Sequence, residues 1–228
     1  MRIEILTLFP GMFQGVFDES MIKIAQKKNL VEIKIHNLRK WTKDRHRTAD
    51  DKPYGGGPGM VLKVEPVDKA LTELKQGEGQ CPTPVVILLT PQGEKFKQSL
   101  AKRALAYEHI ILICGHYEGF DERIRGLVDM EISMGDYILT CGEVPAMIFC
   151  DAVIRLIPGV LGGKDCLQDE SFEDGLLEYP QYTRPAEYKG MKVPDILLSG
   201  DPKKIKIWRN QQALKRTRER RPDLLGSD

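Results

Sequence analysis

Residues 85–119 read VVILLTPQGEKFKQSLAKRALAYEHIILICGHYEG, and they hold the unit from which the fold class follows. Two short runs, VVILL at 85–89 and HIILIC at 109–114, are apolar and rich in β-branched residues, with no alternation of polar and apolar positions. A strand buried on one face alternates, whereas an unbroken apolar run predicts a strand covered on both faces, the condition of a parallel sheet between helices. Between the runs, LAKRAL at 100–105 lies in a helical crossover, the connection that parallel neighbours require. Each run ends in a glycine-bearing loop, Thr90-Pro91-Gln92-Gly93 and Gly115-His116-Tyr117-Glu118-Gly119.

The same pattern extends in both directions. Upstream, IEILTL at 3–8 and VEIKI at 31–35 predict two further strands, with Phe13, Val16, Phe17, Met21, Ile24 and Ala25 at helical spacing between them. Downstream, VDMEISM at 128–134 leads into GDYILTCGE at 135–143. The chain is therefore predicted to be α/β with a mainly parallel sheet. Ligands of open α/β sheets bind at the carboxyl ends of strands, where glycines let backbone approach closely. The three loops are expected to converge on one small-molecule pocket, although each taken alone is more often a tight turn than a site.

A chain of 228 residues, 41% hydrophobic and 29% charged, can bury a full core, which excludes whole-chain disorder. At about 150 residues per domain it accommodates a main domain and a smaller appendage. The net charge of +1 announces no polyanion partner, but its distribution says more. Residues 189–228 carry 11 basic and 5 acidic side chains, leaving 23 basic and 28 acidic for residues 1–188, so a basic module follows a mildly acidic body. The five cysteines, Cys81, Cys114, Cys141, Cys150 and Cys166, are odd in number and never form a C-x-x-C pair. They suggest neither a disulfide framework nor a zinc site and fit a reducing cytoplasm. No apolar run approaches the ~20 residues of a membrane span, and MRIEILTLFPGMF has no signal-peptide core, so neither export nor anchoring is expected.

Two long stretches interrupt the α/β pattern. Residues 39–58 are polar and basic, then glycine-rich, and read as a functional loop. Residues 158–185, PGVLGGKDCLQDESFEDGLLEYPQYTRP, are acidic and irregular and read as a linker to the basic module. In that module, Ser199 or Asp201 can cap a helix with Pro202 in its first turn. Ile205, Trp208 and Leu214 give the helix an apolar side, and Lys203, Lys204, Lys206, Arg209, Lys215 and Arg216 populate the rest. Such a helix can pack and still present a cationic face; a merely solvated charged helix is the competing reading.

The common nucleotide fingerprints are missing. No G-x-G-x-x-G follows a strand, and Gly163-Lys164 is followed by Asp165, with Pro158 where a P-loop has its first glycine, so neither a dehydrogenase nor an NTPase is predicted. Candidate acid–base groups are the carboxylates Asp169, Glu170, Glu173 and Asp174, together with Arg155 at the end of the preceding helix. A carboxylate can take a proton while a cation stabilises developing negative charge; a solvated acidic loop is the competing reading. His46, among Lys43, Arg45 and Arg47, reads first as part of a basic segment tracking a phosphate backbone.

Read in order, LTLFPGMF (6–13), DDKPYGGGPGM (50–60), LLTPQG (88–93), CGHYEG (114–119), GDYILTCGE (135–143), IPGVLG (157–162), LLEYPQYTRP (176–185) and VPDILLSG (193–200) form a set specific to one family. The sequence closely resembles the bacterial tRNA (guanine-N1)-methyltransferases of the SPOUT class, over essentially the whole chain. The resemblance implies a trefoil-knotted α/β domain over residues 1–160, a flexible linker over 161–175 and a basic helical tRNA-binding domain over 176–228. It also implies a cytoplasmic homodimer with an active site shared between subunits. The methyl donor would be S-adenosylmethionine and the acceptor the guanosine immediately 3′ of the anticodon, a modification that supports reading-frame maintenance.

Carried over by position, Leu88, Leu89, Pro91, Gly115, Tyr117, Glu118, Gly119, Met134, Gly135, Tyr137, Leu139, Cys141, Gly142 and Pro145 would form the donor pocket. His46, Gly59, Glu178, Lys203, Arg209 and Arg216 would meet the RNA. The family's base is an aspartate directly before Ser-Phe; here Glu170 holds that position, with Asp169 one residue earlier as the alternative, and Arg155 would stabilise charge at the guanine O6. The glycine pair usual before the glutamate at 143 is Cys141-Gly142 here. Magnesium accompanies catalysis in this family, but no metal-binding constellation is visible in the sequence. Two rival readings remain: a SPOUT-like methyltransferase acting on another RNA position, and an RNA-binding module without catalysis.

Overall fold

The computed structural model describes residues 1–76, 82–162 and 170–226, and the chain divides into two compact units, Met1–Leu161 and Gly162–Asp228. The first opens with β1 (Arg2–Thr7), a 3-10 turn, α1 (Gln14–Phe17), α2 (Ser20–Lys27) and β2 (Glu32–Asn37). A short antiparallel pair follows, β3 (Asp50–Asp51) with β4 (Val61–Leu62), then α3 (Val64–Gln76), β5 (Val85–Lys95), α4 (Gln98–Ala104) and β6 (His109–Cys114). The unit ends with β7 (Met130–Ser133) and α5 (Glu143–Ile154).

The central sheet has the order β2-β1-β6-β5-β7, and every neighbouring pair in it is parallel. The unbroken apolar runs are explained by burial on both faces. Leu6, Ile111, Ile113, Val86 and Leu88 join a core cluster with Trp41, Val67 and Leu71 on one side. Their sequence neighbours Ile5, Leu112 and Ile87, which stand in register across three strands, are equally buried and point to the other face, as the two-residue strand period requires. There α5 packs against α4, α2 and β6, with the Phe149 ring 5.5 Å from that of Phe96.

Two elements differ from their sequence reading. The helical spacing over 13–25 is realised as two pieces, because the chain breaks between α1 and α2 at Ser20, whose φ is +52°. Phe13, Phe17 and Ala25 are still buried, while Val16 and Ile24 are exposed. Thr90-Pro91-Gln92-Gly93 does not end the third strand. It bulges from within β5, which pairs with Ile132 through Leu89 before the bulge and through Glu94 after it.

In the second unit, β8 (Glu187–Tyr188) and β9 (Met191–Lys192) form a hairpin, followed by α6 (Asp195–Leu198) and α7 (Pro202–Arg220). Asp201 is the cap of α7: its carboxylate accepts from the amides of Lys203 (3.1 Å) and Lys204 (3.2 Å), while the Ser199 hydroxyl donates to Ile196 O. The buried positions of α7 are Ala213 and Thr217. Thr217 Oγ1 donates to Ala213 O and accepts from Leu177 N at 2.8 Å, and Arg216 donates to Glu178 O, so the 176–178 segment is fixed along the helix.

Candidate active site

The bulge of β5 and the carboxyl ends of β6 and β7 meet at a cavity of about 190 Å³. Its first wall is the bulge from β5, which contributes Leu89, Thr90 and Pro91. The second is the loop after β6. Tyr117 (φ +60°) and Gly119 (φ +139°) both take the left-handed backbone region, and Gly119 N closes the turn on His116 O at 3.2 Å. The DDKPYGGGPGM segment borders this loop: Glu118 N donates to Met60 O, and Leu62 N to Gly119 O. Gly59 lies so close that an added Cβ would stand 2.3 Å from Glu118 Cγ.

The third wall is the loop from β7 to α5. Gly135, at φ +146°, lies against the Tyr137 ring, and Tyr137 Oη donates to Met134 O at 3.1 Å. The chain then returns onto the second loop. Cys141 bridges His116 in antiparallel fashion, and Gly142 N donates to Gly115 O at 2.7 Å. A Cβ on Gly142 would fall 2.6 Å from Gly115 N and 2.7 Å from Cys114 Cα, so two backbones touch with nothing between them. The rim is apolar and open, with Tyr137 53% and Ile138 81% exposed.

Beneath the loops lies a buried polar group. Glu143, in the first turn of α5, is fully buried, and its Oε1 accepts from Thr7 Oγ1 at 2.5 Å. The helix N-terminus favours that negative charge. Its Oε2 lies 4.0 Å from His116 Nδ1, and neither atom has a hydrogen-bond partner among the described residues. The His116 ring is held between Phe9 (4.6 Å) and Tyr117 (4.5 Å). Burial, with the nearby Glu143 charge, pushes the Cys114 thiol well above its ordinary value, so this cysteine is a neutral packing group.

Of the fourteen residues expected at the donor pocket, all but Leu88 line this cavity. Leu88 is fully buried in β5 and packs in the core. Lining residues outside that set include Thr90, His116 and Thr140, whose signal lay in being interleaved within the same three motifs, and Ile132, from the strand run before the third. Arg155 caps the C-terminus of α5, its amide donating to Asp151 O. Glu170 is half-buried at the start of the described part of the second unit, its carbonyl accepting from Glu173 N, while Asp169 lies outside the described residues.

The residues expected at RNA fall on both units. His46 is exposed on a turn organised by Asp44, whose carboxylate accepts from His46 N and from Thr48; the Thr48 hydroxyl bond is the main reason that carboxyl titrates below its ordinary value. Lys203 is exposed at the start of α7. Arg209 lies over the Tyr179 ring, Arg216 holds Glu178 O, and the Glu178 carboxylate accepts from Gln181. Among the described residues no three His, Cys, Asp or Glu side chains converge as a metal site, so they offer magnesium no such donor set, and no helix is long and apolar enough to cross a membrane.

The family model described as tRNA (Guanine-1)-methyltransferase TrmD matches residues 1–227. Curated relatives named tRNA (guanine-N(1)-)-methyltransferase are closely similar. The protein of Dictyoglomus turgidum is 56% identical over 99% of this chain and 90% of its own length. Those of Moorella thermoacetica and Geobacillus kaustophilus are 53% and 55% identical, again over 99% of this chain and over 90% and 91% of theirs.

Proposed function

The chain belongs to the tRNA (guanine-1)-methyltransferase family, and on that premise we propose that it methylates N1 of the guanosine immediately 3′ of the anticodon of tRNA, with S-adenosylmethionine as donor, in the cytoplasm. The observation that carries the reading is the convergence of the β5 bulge and of two glycine-closed loops, at the carboxyl ends of the parallel strands β6 and β7, on one cavity. The fit to the donor is physical. The Gly142–Gly115 contact joins two backbones on the lining with no side chain between them, the apolar rim suits an adenosine, and Glu118 is a carboxylate on the lining to oppose a cationic donor.

Bound S-adenosylmethionine supplies an electrophilic sulfonium methyl group. The chain's own residues must make guanine N1 a nucleophile, since that nitrogen carries a proton at neutral pH. Glu170, with Asp169 as the neighbouring alternative, takes the proton as the N1–carbon bond forms and the carbon–sulfur bond breaks. Arg155 stabilises the negative charge that accumulates on O6. The tRNA, now carrying 1-methylguanosine, and S-adenosylhomocysteine leave, and the carboxyl group returns its proton to solvent.

Two features of the family belong to the same reading. The return of residues 134–142 across the loop after β6 supports a knotted path through the first unit. A homodimer is supported by α5, where Val144 and Ile148 leave apolar side chains exposed on a helix whose other side is already in the core. The decisive experiment is transfer of labelled methyl to unmodified tRNA carrying G, or A, immediately 3′ of the anticodon. Label recovered as N1-methylguanosine from the G transcript alone is the expected result. Label at another nucleotide, or binding without turnover, sinks the assignment.

A further inference from the structure

The second unit has a cavity of its own, about 570 Å³, walled by the 179–184 segment, α6 and α7. That volume is within the roughly 300–1,000 Å³ of small-ligand sites. None of its lining residues lines the donor cavity. Three observations define what it accepts.

The Arg209 guanidinium lies 4.6 Å from the centroid of the Tyr179 ring, and Tyr182, also on the wall, is 49% exposed. A planar cation stacked on an aromatic face, beside a second ring, is the surface on which nucleobases stack. Arg209 Nε is buried and has no hydrogen-bond partner among the described residues, so a donor waits for an acceptor that a ligand must bring. The helix that supplies Arg209 carries eight basic side chains and one acidic one, which favours a ligand tethered to a polyanion. A peptide's apolar side chain would leave Nε without an acceptor, and a bare phosphate would leave the rings unused.

We propose that this cavity receives one unstacked nucleotide of the tRNA, other than the guanosine that is methylated, stacked against the Tyr179–Arg209 pair with an acceptor on its base edge toward Arg209 Nε. The proposal rests on tRNA being the substrate. It gives the second unit a grip on base as well as backbone, and it makes Arg209 more than one of several phosphate-facing cations.

The test compares Tyr179→Leu, Tyr179→Phe and Arg209→Lys in the full-length protein, measuring tRNA binding by filter retention alongside methyl transfer. Tyr179→Leu and Arg209→Lys are expected to weaken tRNA binding and raise its KM by about ten-fold, the order of one lost base stack, with kcat and donor affinity unchanged. Tyr179→Phe keeps wild-type values. The salt dependence of binding is unaltered in Arg209→Lys, because no charge is lost. A scan of tRNAs with single abasic positions then identifies one nucleotide whose base removal reproduces the loss in the wild type and adds nothing to Arg209→Lys. Wild-type binding by Arg209→Lys, or a scan with no such position, overturns the proposal. Should Tyr179→Leu melt at lower temperature, Arg209→Lys and the abasic scan still decide. Wild-type protein that binds tRNA with this variant pattern but transfers no methyl would refute the function proposed above and leave the cavity's role standing.

Discussion

Gly142 has no room for a methyl group, and the atoms in its way are backbone atoms of Cys114 and Gly115 that cannot swing aside. Gly142→Ala must therefore push the two loops away from each other. We expect it to cost roughly 1–3 kcal/mol in stability and to abolish donor binding in calorimetry. Cys141, beside it, already carries a side chain and meets His116 through its backbone, so Cys141→Gly should retain donor binding. Thr7→Val leaves a buried oxygen of Glu143 without its donor and should cost about 1–3 kcal/mol in chemical denaturation. A second buried carboxylate, Glu4, is set by opposing forces. Burial pushes its carboxyl up, but the hydrogen bond from His36 (2.6 Å) and the charges of Arg2, His36 and His109 outweigh burial and hold it below the ordinary value of 4.5. A depressed carboxyl stabilises the native state above the unfolded value, and that stability disappears as pH falls through the native one. Wild-type stability should thus decline on the acid side of pH 4.5, while Glu4→Gln is less stable at neutral pH and flatter over the same window in pH-dependent denaturation.

Elements were legible in the sequence where one physical signal dominated. VVILL and HIILIC announced doubly covered strands, and they are neighbours in register, Val85 opposite Ile110 through Leu89 opposite Cys114. The bulge in β5 was not legible, because Thr90-Pro91-Gln92-Gly93 has the composition of a chain-reversing turn. Only the close passage of Gly93 against the backbone of Glu131 and Ile132 carries the strand onward past it. The break at Ser20 was hidden for a similar reason: spacing reports which residues face the core, and it is preserved across a kink. In the site, the loops could be read from their glycines, but the Thr7–Glu143–His116 group could not, since its members are far apart in sequence and each is ordinary alone. At the start of α7, Ser199 and Asp201 were equal candidates, and the structure selects Asp201. Asp201→Ala should lower the stability of the second unit by about 1 kcal/mol, read from local amide exchange along α7.

For the molecule as a whole, the exposed apolar side of α5 predicts association. Replacing Val144 and Ile148 by Asp should convert a dimer into a monomer in light scattering and remove methyl transfer with it, whereas a wild-type protein already monomeric at working concentration would contradict the proposed dimer. Donor at 100 times its Kd should stabilise the native state by about 2.7 kcal/mol and raise Tm accordingly. The loops around the donor cavity carry one more implication, for inhibition. That wall includes Gly142, which sits where any larger residue collides with the neighbouring backbone of Cys114 and Gly115. A compound that packs against the joined backbones of residues 115 and 142, rather than against the rim side chains Tyr117, Tyr137 and Ile138, would confront the gene with few single substitutions that evict it and spare the donor. Resistance would then have to come from greater abundance of the enzyme, not from a reshaped pocket.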